Sequence, residues 1–291
     1  MTTPRRTTVS LAAGALLVTG CAAQLNQAGA PVADSSASAG IPDGYDGRFR
    51  AVATVLESPE HGPQLCHTVM DSYPPQCGGP GVSGWDWSAV AHESASGTRW
   101  GGYVLVGTFD GETFALTEPA VVDDGSVERP QSDQANFATP CPEPAGGWSP
   151  VDPDRATDAA FQQAIRIAQA ADGYGGLWVD QPTTGAEGAN DPRRFVLNVT
   201  TTGDVAALQN AIREVWGGSL CVSPAVRDEA TLLDVQNALS GDPGVMGSAP
   251  DITTGRLVVQ VFVATSELQR TYDERYGAGT VRLEGVLIPL D

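Results

Sequence analysis

Three histidines, His61, His67 and His92, are the whole supply of imidazole in this 291-residue chain, so a histidine-dependent general base must come from one of them. All three sit among Gly, Pro and Ser, the setting of solvated loop side chains rather than of a tuned catalytic base. The chain has no G-x-S-x-G elbow and no H-E-x-x-H helix, and without a single Lys it cannot form a phosphate-binding P-loop. Asp152, Asp154 and Asp158 could attract calcium, but their spacing departs from an EF-hand loop and helix capping accounts for two of them. Asp123-Asp124-Gly125 reads as a turn. Asp86, flanked by Trp85 and Trp87, is the one acid in an aromatic setting, and a solvent-facing strand position explains it. These residues assign no catalytic site, no cofactor and no metal.

The cysteines say more. Of five, Cys21 follows Val18-Thr19-Gly20, a lipobox-like spacing in which small residues admit a peptidase that cuts before a diacylglyceryl-modified Cys. Before it lie Arg5 and Arg6 and an apolar run over 9–18, too short to cross a bilayer but matched to a signal-peptide core. Residues 1–20 therefore read as a lipoprotein signal peptide and Cys21 as the lipidation site. Residues 22–42, rich in Ala, Ser, Gly and Gln, read as a flexible stalk. Acyl chains contribute about 0.8 kcal/mol per buried CH₂, so two or three of them on one Cys suffice to anchor the body to a lipid bilayer.

The other four, Cys66, Cys77, Cys141 and Cys221, form an even set in what would be an oxidising compartment. Three pairings are possible on paper. Cys66 and Cys77 enclose a short Pro-rich segment that one turn can close, which favours 66 to 77 and leaves 141 to 221. The second bond would clamp the Pro-rich stretch 140–152 onto the chain's second half. A metal site from Cys66, His67 and Cys77, with His61 nearby, lacks the paired knuckles that make such sites recognisable.

The formal charge is −19, from 16 Arg against 35 acids. Such a body repels phosphate backbones, which disfavours nucleic acid as a partner. With 34 Gly and 21 Pro and only 18% charged residues, the composition is globular and turn-rich, with a length suited to two domains.

Residues 43–139 alternate as strands do. Ala51, Ala53 and Val55 point one way and Arg50 and Thr54 the other; further strands are expected over 64–70, 82–87, 102–109 and 112–118. Asp110-Gly111 supplies a hairpin turn between two of them. About five short strands suggest a small all-β, barrel-like domain of OB-like type. Trp85, Trp87, Trp100 and Tyr103, with Phe109 and Phe114, could offer a ligand platform, although a domain of this size needs such rings for its core.

Helical periodicity begins after residue 152. Asp152-Pro153 is expected to open the first helix, Asp204 the second, Asp228 the third and Ser266 the fourth. With the intervening strands, residues 153–291 run αββαβ twice, which fits either an internal repeat or a shared supersecondary pattern. Taken from Ser219 onward, the order βαββαβ is that of a ferredoxin-like α/β sandwich. The fold class is α+β.

The stretches Ser58-Pro59-Glu60-His61-Gly62-Pro63-Gln64-Leu65-Cys66, Pro74-Pro75-Gln76-Cys77-Gly78-Gly79-Pro80 and Gly84-Trp85-Asp86-Trp87, the hairpin over 107–119, and Trp216-Gly217-Gly218-Ser219-Leu220-Cys221-Val222 resemble a group of uncharacterised actinobacterial lipoproteins and exported proteins. The resemblance implies an extracytoplasmic setting and carries no activity. The expectation is a membrane-anchored lipoprotein on the outer face of the cell membrane. Its body would be a non-enzymatic binding or structural module for an envelope protein or a small ligand. A protease inhibitor or propeptide-like module and a small-ligand carrier using the aromatic barrel are the alternatives.

Overall fold

The computed structural model describes residues 40–127, 135–181 and 190–290. The signal peptide, Cys21 and most of the stalk lie outside them. Among the described residues, no helix is long and apolar enough to cross a membrane.

The first half is strand after strand: β1 (Arg48–Ser58), β2 (His61–Cys66), β3 (Gly81–Ser83), β4 (Glu93–Ala95), β5 (Thr98–Phe109), β6 (Thr113–Leu116) and β7 (Val121–Val122). Burial along β1 alternates, with Phe49, Ala51, Ala53 and Val55 inward, because successive side chains of a strand face opposite ways. β1 pairs antiparallel with β2 on one edge and with β5 on the other, the latter over every position from Phe49↔Gly107 to Glu57↔Arg99. β2 meets β3, β3 runs parallel to β6, and β6 returns antiparallel to β5. The five strands thus close into a ring around Phe49, Ala51, Val55, Leu65, Val82, Tyr103, Leu105 and Phe114. A hairpin forms at Asp110-Gly111, but not as the two-residue turn its sequence implies: Phe109 pairs with Phe114 across residues 110–113, Gly111 adopts φ 105° while Asp110 does not take a positive φ, and the Asp110 carboxylate accepts from the Glu112 and Thr113 amides at 2.9 and 2.8 Å. Some expected strands are shorter than their patterns. β2 stops at Cys66, where the disulfide loop begins, and Trp87–Ala89 is a 3₁₀ turn rather than strand.

The second half contains α1 (Asp158–Gln169), β8 (Tyr174–Asp180), β9 (Val196–Thr201), α2 (Val205–Arg213), β10 (Ser219–Pro224), α3 (Glu229–Leu239), β11 (Val245–Asp251), β12 (Arg256–Val261), α4 (Ser266–Tyr276), β13 (Val281–Gly285) and β14 (Ile288–Leu290). Two separate three-stranded sheets result. In each, the middle strand (β9 or β12) is antiparallel to the strand before it and parallel to the strand after its helix. The two αββαβ units therefore share one topology. α1 and α3, and β8 and β11, start 71 residues apart, whereas β9 and β12 start 60 apart; the connection over 181–195 is longer than its counterpart over 252–255 by that difference.

Three expectations are corrected here. β10 stays with β9, so the strands from Ser219 onward are not gathered into the single sheet of a ferredoxin-like sandwich. The reason is local: α2 buries Leu208 and Ile212 on the sheet that its own crossover builds, and a right-handed βαβ crossover favours that short-range closure. Asp152-Pro153 opens only the 3₁₀ turn Pro153–Arg155, while Thr157 caps α1. Thr265, one residue before the expected start, caps α4 and leaves the Ser266 hydroxyl to bond the Gly40 carbonyl. Asp204 and Asp228 cap α2 and α3 as expected.

Both ends of the described body fold back on the ring. β14 pairs with β1, Leu287 enters the barrel core, and Ile41 is buried there while bridging to Thr265. The last strand therefore crosses the boundary drawn at residue 153, and Ile41 and Pro42 belong to the body rather than to a stalk.

Cys66 bonds Cys77, and Cys141 bonds Cys221. The second bond ties the segment around Cys141 to the first unit's sheet, where Trp178 Nε1 donates to the Phe137 carbonyl at 2.9 Å and Thr139 donates twice to Asp180. Loop-closure entropy grows with the length enclosed, giving about 4.5 kcal/mol for the bond spanning 80 residues and about 3 kcal/mol for the bond spanning 11. The double variant Cys141→Ala/Cys221→Ala is therefore expected to lose more stability than Cys66→Ala/Cys77→Ala, read as the larger drop in urea midpoint.

Candidate functional site

The aromatic residues separate into two groups. Trp85, Trp87 and Tyr103 form an edge-to-face cluster, with centroids 5.1 Å apart for Trp85–Trp87 and 4.9 Å for Trp85–Tyr103. Trp87 and Tyr103 are buried, and Tyr103 donates to the Ala91 carbonyl at 2.8 Å. Trp100 faces the opposite way from β5, packing with Leu56 against the Cys66–Cys77 bond while Tyr73 stands over it at 5.7 Å. Phe114 is in the ring's core and Phe109 packs on Phe262. No exposed stacking platform results, because the rings are used to fill the barrel and to seat the disulfide.

Glu57 organises the rim of the first group. Its carboxylate accepts from Trp87 Nε1 and from Arg99, both at 2.6 Å, and the Arg99 guanidinium lies 5.3 Å from the Trp87 ring centroid. Partial burial works to raise the Glu57 pKa, but the bonds from Trp87 and Arg99 outweigh it and hold the carboxyl below its ordinary value. Asp86 is exposed. Its oxygen accepts from the Ser88 amide and hydroxyl, which lower its pKa, so it is a turn cap and not a proton donor. His92 lies edge-on to Trp87, and His61 and His92 each place Nδ1 against a nearby backbone carbonyl. The three aspartates near residue 152 do not converge on an ion: Asp152 receives the Asp154 amide and Arg155 Nε. Among the described residues, no group of three or more His, Cys, Asp or Glu could hold a metal.

The site that sequence reasoning missed lies in the barrel wall. β2 and β3 touch at a single register position, Gln64↔Gly81, and diverge from there into a notch of about 280 Å³ lined by His61–Gln64, Gly81–Ser83 and Thr113. In that register Pro63 stands opposite Val82. The pair would exchange two bonds in an antiparallel ladder, but proline has no N–H to give the Val82 carbonyl. Gln64 Oε1 is buried and has no hydrogen-bond partner. Pro63 was the visible clue, since a proline inside a strand pattern marks an edge or an irregularity. The run Gly79-Pro80-Gly81-Val82-Ser83-Gly84 has the glycine spacing of a dinucleotide loop, yet it contains β3 and leads into a 3₁₀ turn, so no α-helix N-terminus presents itself to a phosphate. Gly79 serves a close approach instead: a Cβ there would lie 2.0 Å from the Leu65 carbonyl oxygen.

A second concavity, of about 320 Å³, is lined by Thr68–Met70 and Gln76–Gly78 of the disulfide loop. That loop exposes Val69, Met70 and Tyr73.

Because the Glu57 pKa is depressed on folding, its contribution is present above the unfolded carboxylate range near pH 4.3 and is lost as pH falls through the lower folded value. The urea midpoint of the native protein is expected to fall more steeply below about pH 4.3 than that of Glu57→Gln. Trp87→Phe, which strands the Glu57 oxygen, should destabilise more than Trp85→Phe, whose Nε1 has no partner to lose.

The chain matches no protein-family model and no curated protein sequence.

Proposed function

We propose that this chain is an exported lipoprotein, held at the outer face of the cell membrane through acylated Cys21, whose body is a binding module for a component of the envelope. The observation that carries the binding reading is the β2–β3 notch, a shallow, open break in the barrel wall with an unsatisfied buried acceptor beside it. Buried polar atoms are nearly always bonded, and exceptions call for a functional or solvent-based account.

We read the five-strand ring as an OB-type barrel. The ring order β1-β2-β3-β6-β5, with β3–β6 as its parallel pair, supports this. Barrels of that type contact ligands on the side formed by their second and third strands, which is where the notch lies. A formal charge of −19 argues against an oligonucleotide there. The lipobox-like Val18-Thr19-Gly20-Cys21, the two disulfides and the resemblance to actinobacterial exported proteins support the location.

A protease inhibitor is the second reading. It is favoured by the exposed Val69, Met70 and Tyr73 on a loop closed by Cys66–Cys77, a constrained presentation that would reduce the entropy lost on docking.

Mass spectrometry of the N-terminal peptide from cells is expected to find diacylglycerol on Cys21, and Cys21→Ser should move the protein from the membrane to the medium. A photo-crosslinking residue placed at Ser83 should capture an envelope component that the same group at Thr271 does not. An unmodified Cys21 would overturn the anchor. Equal capture at the two positions would overturn the β2–β3 side as the contact surface.

A further inference from the structure

We infer that Pro63 holds the barrel wall open and that the notch it creates takes a cationic hydrogen-bond donor, a primary ammonium or guanidinium group of the ligand. The inference rests on the reading of the β2–β3 side as the contact surface and adds the ligand class to it.

The argument begins with the ladder. With Gln64 opposite Gly81, Leu65 donates to the Pro80 carbonyl at 2.9 Å. The next pair along is Pro63 and Val82, where the bond from residue 63 to the Val82 carbonyl has no donor. Gly81 instead sends its own amide to the Glu112 carbonyl on the β6 side, at 3.1 Å, so Val82 is the residue whose backbone groups turn toward β2. Pairing ends there, and β2 and β3 separate into the notch.

Its lining is rich in acceptors. Gln64 Oε1 has no partner and is buried behind the lining, so the half-buried Gln64 side chain must turn to meet a ligand; the Val82 carbonyl finds no donor in Pro63. His61 Nδ1 is 2.9 Å from the Gly62 carbonyl oxygen; a ring whose one proton is on Nδ1 offers Nε2 as an acceptor. Ser83 and Thr113 add hydroxyls, and no Arg lines the notch. A group that brings several N–H donors and a positive charge satisfies these acceptors and is drawn by the field of a chain at −19. An anion meets acceptors and repulsion.

The test is an amide-resolved NMR titration of the mature chain carrying Cys21→Ser, with n-butylammonium, n-butylguanidinium, n-butanol and butyrate as probes. The two cations are expected to shift the amides of Gly62, Gln64, Gly81, Val82 and Thr113, with n-butanol at least about tenfold weaker and butyrate inactive. Pro63→Ala supplies the missing donor, so the residue 63 amide should become protected from exchange and the cation-induced shifts should disappear. Gln64→Met, which keeps the strand, should weaken the ammonium about tenfold, the worth of one bond to a charged group, and leave n-butanol unchanged. Alcohol or carboxylate binding as well as ammonium overturns the ligand class while leaving the surface in place. Cation shifts that survive in Pro63→Ala with a protected residue 63 amide overturn the role of Pro63. No response at these amides to any probe overturns the contact surface as well.

Discussion

Closure of the ring by β1 against β5 is the constraint on which the other parts depend. The two longest strands pair from Phe49↔Gly107 to Glu57↔Arg99, and this places one face of each toward the interior and the other toward the disulfide loop. Tyr103 and Leu105 meet Ala53 and Ala51 inside, while Trp100 and Leu56 meet on the far side under Cys66. Because side chains alternate strictly, a one-residue slip of this pairing would exchange the two faces, putting Trp100 in the barrel and Tyr103 under the disulfide. The Glu57–Trp87–Arg99 arrangement also requires this register, since Glu57 and Arg99 are its final pair.

A ring closed so firmly on one side can tolerate a break on the other. β3 has three residues and is held chiefly by its parallel pairing to β6 and by core residue Val82. The return from the disulfide loop runs close over β2 at Gly79, fixing how β3 approaches. Pro63 then ends the β2–β3 ladder after one position. The opening is therefore a consequence of backbone chemistry at one residue, in a wall whose neighbours are secured by Cys66–Cys77 and by the β1–β5 pairing.

The two αββαβ units show how similar topology can carry different burial. In the first, β9 is buried along its whole length, with Leu197 and Val199 under the helices and with Phe137, Thr139 and Cys141 held beside Trp178, Asp180 and Cys221 of its sheet. In the second, β12 alternates between buried and half-buried residues. The ends of the chain add a further tie, because β14 and Ile41 attach the second half to the ring.

Much of the local structure was legible in the residues themselves. Alternation along β1, a hairpin at Asp110-Gly111, the aspartate caps of α2 and α3 and the order αββαβ all follow from short-range rules of side-chain period and capping. The disulfide pairing followed from one short enclosed segment and the remainder. Strand partners did not follow, because the order βαββαβ is compatible with more than one sheet and only the burial of Leu208 and Ile212 on their own crossover keeps β10 beside β9.

By itself the sequence determined the charge, the order of most helices and strands, the caps of α2 and α3 and an even set of four cysteines outside the leader, each of which depends on residues close in the chain or on their counts. Tertiary structure alone decided that Trp85, Trp87 and Tyr103 are core and Trp100 a seat for the disulfide, and that Pro63 faces a carbonyl nineteen residues away at Val82. The physical reason is that hydrogen bonds between strands are made across space: a missing donor is visible in a proline, but the acceptor it deprives is known only when the register of its partner strand is known.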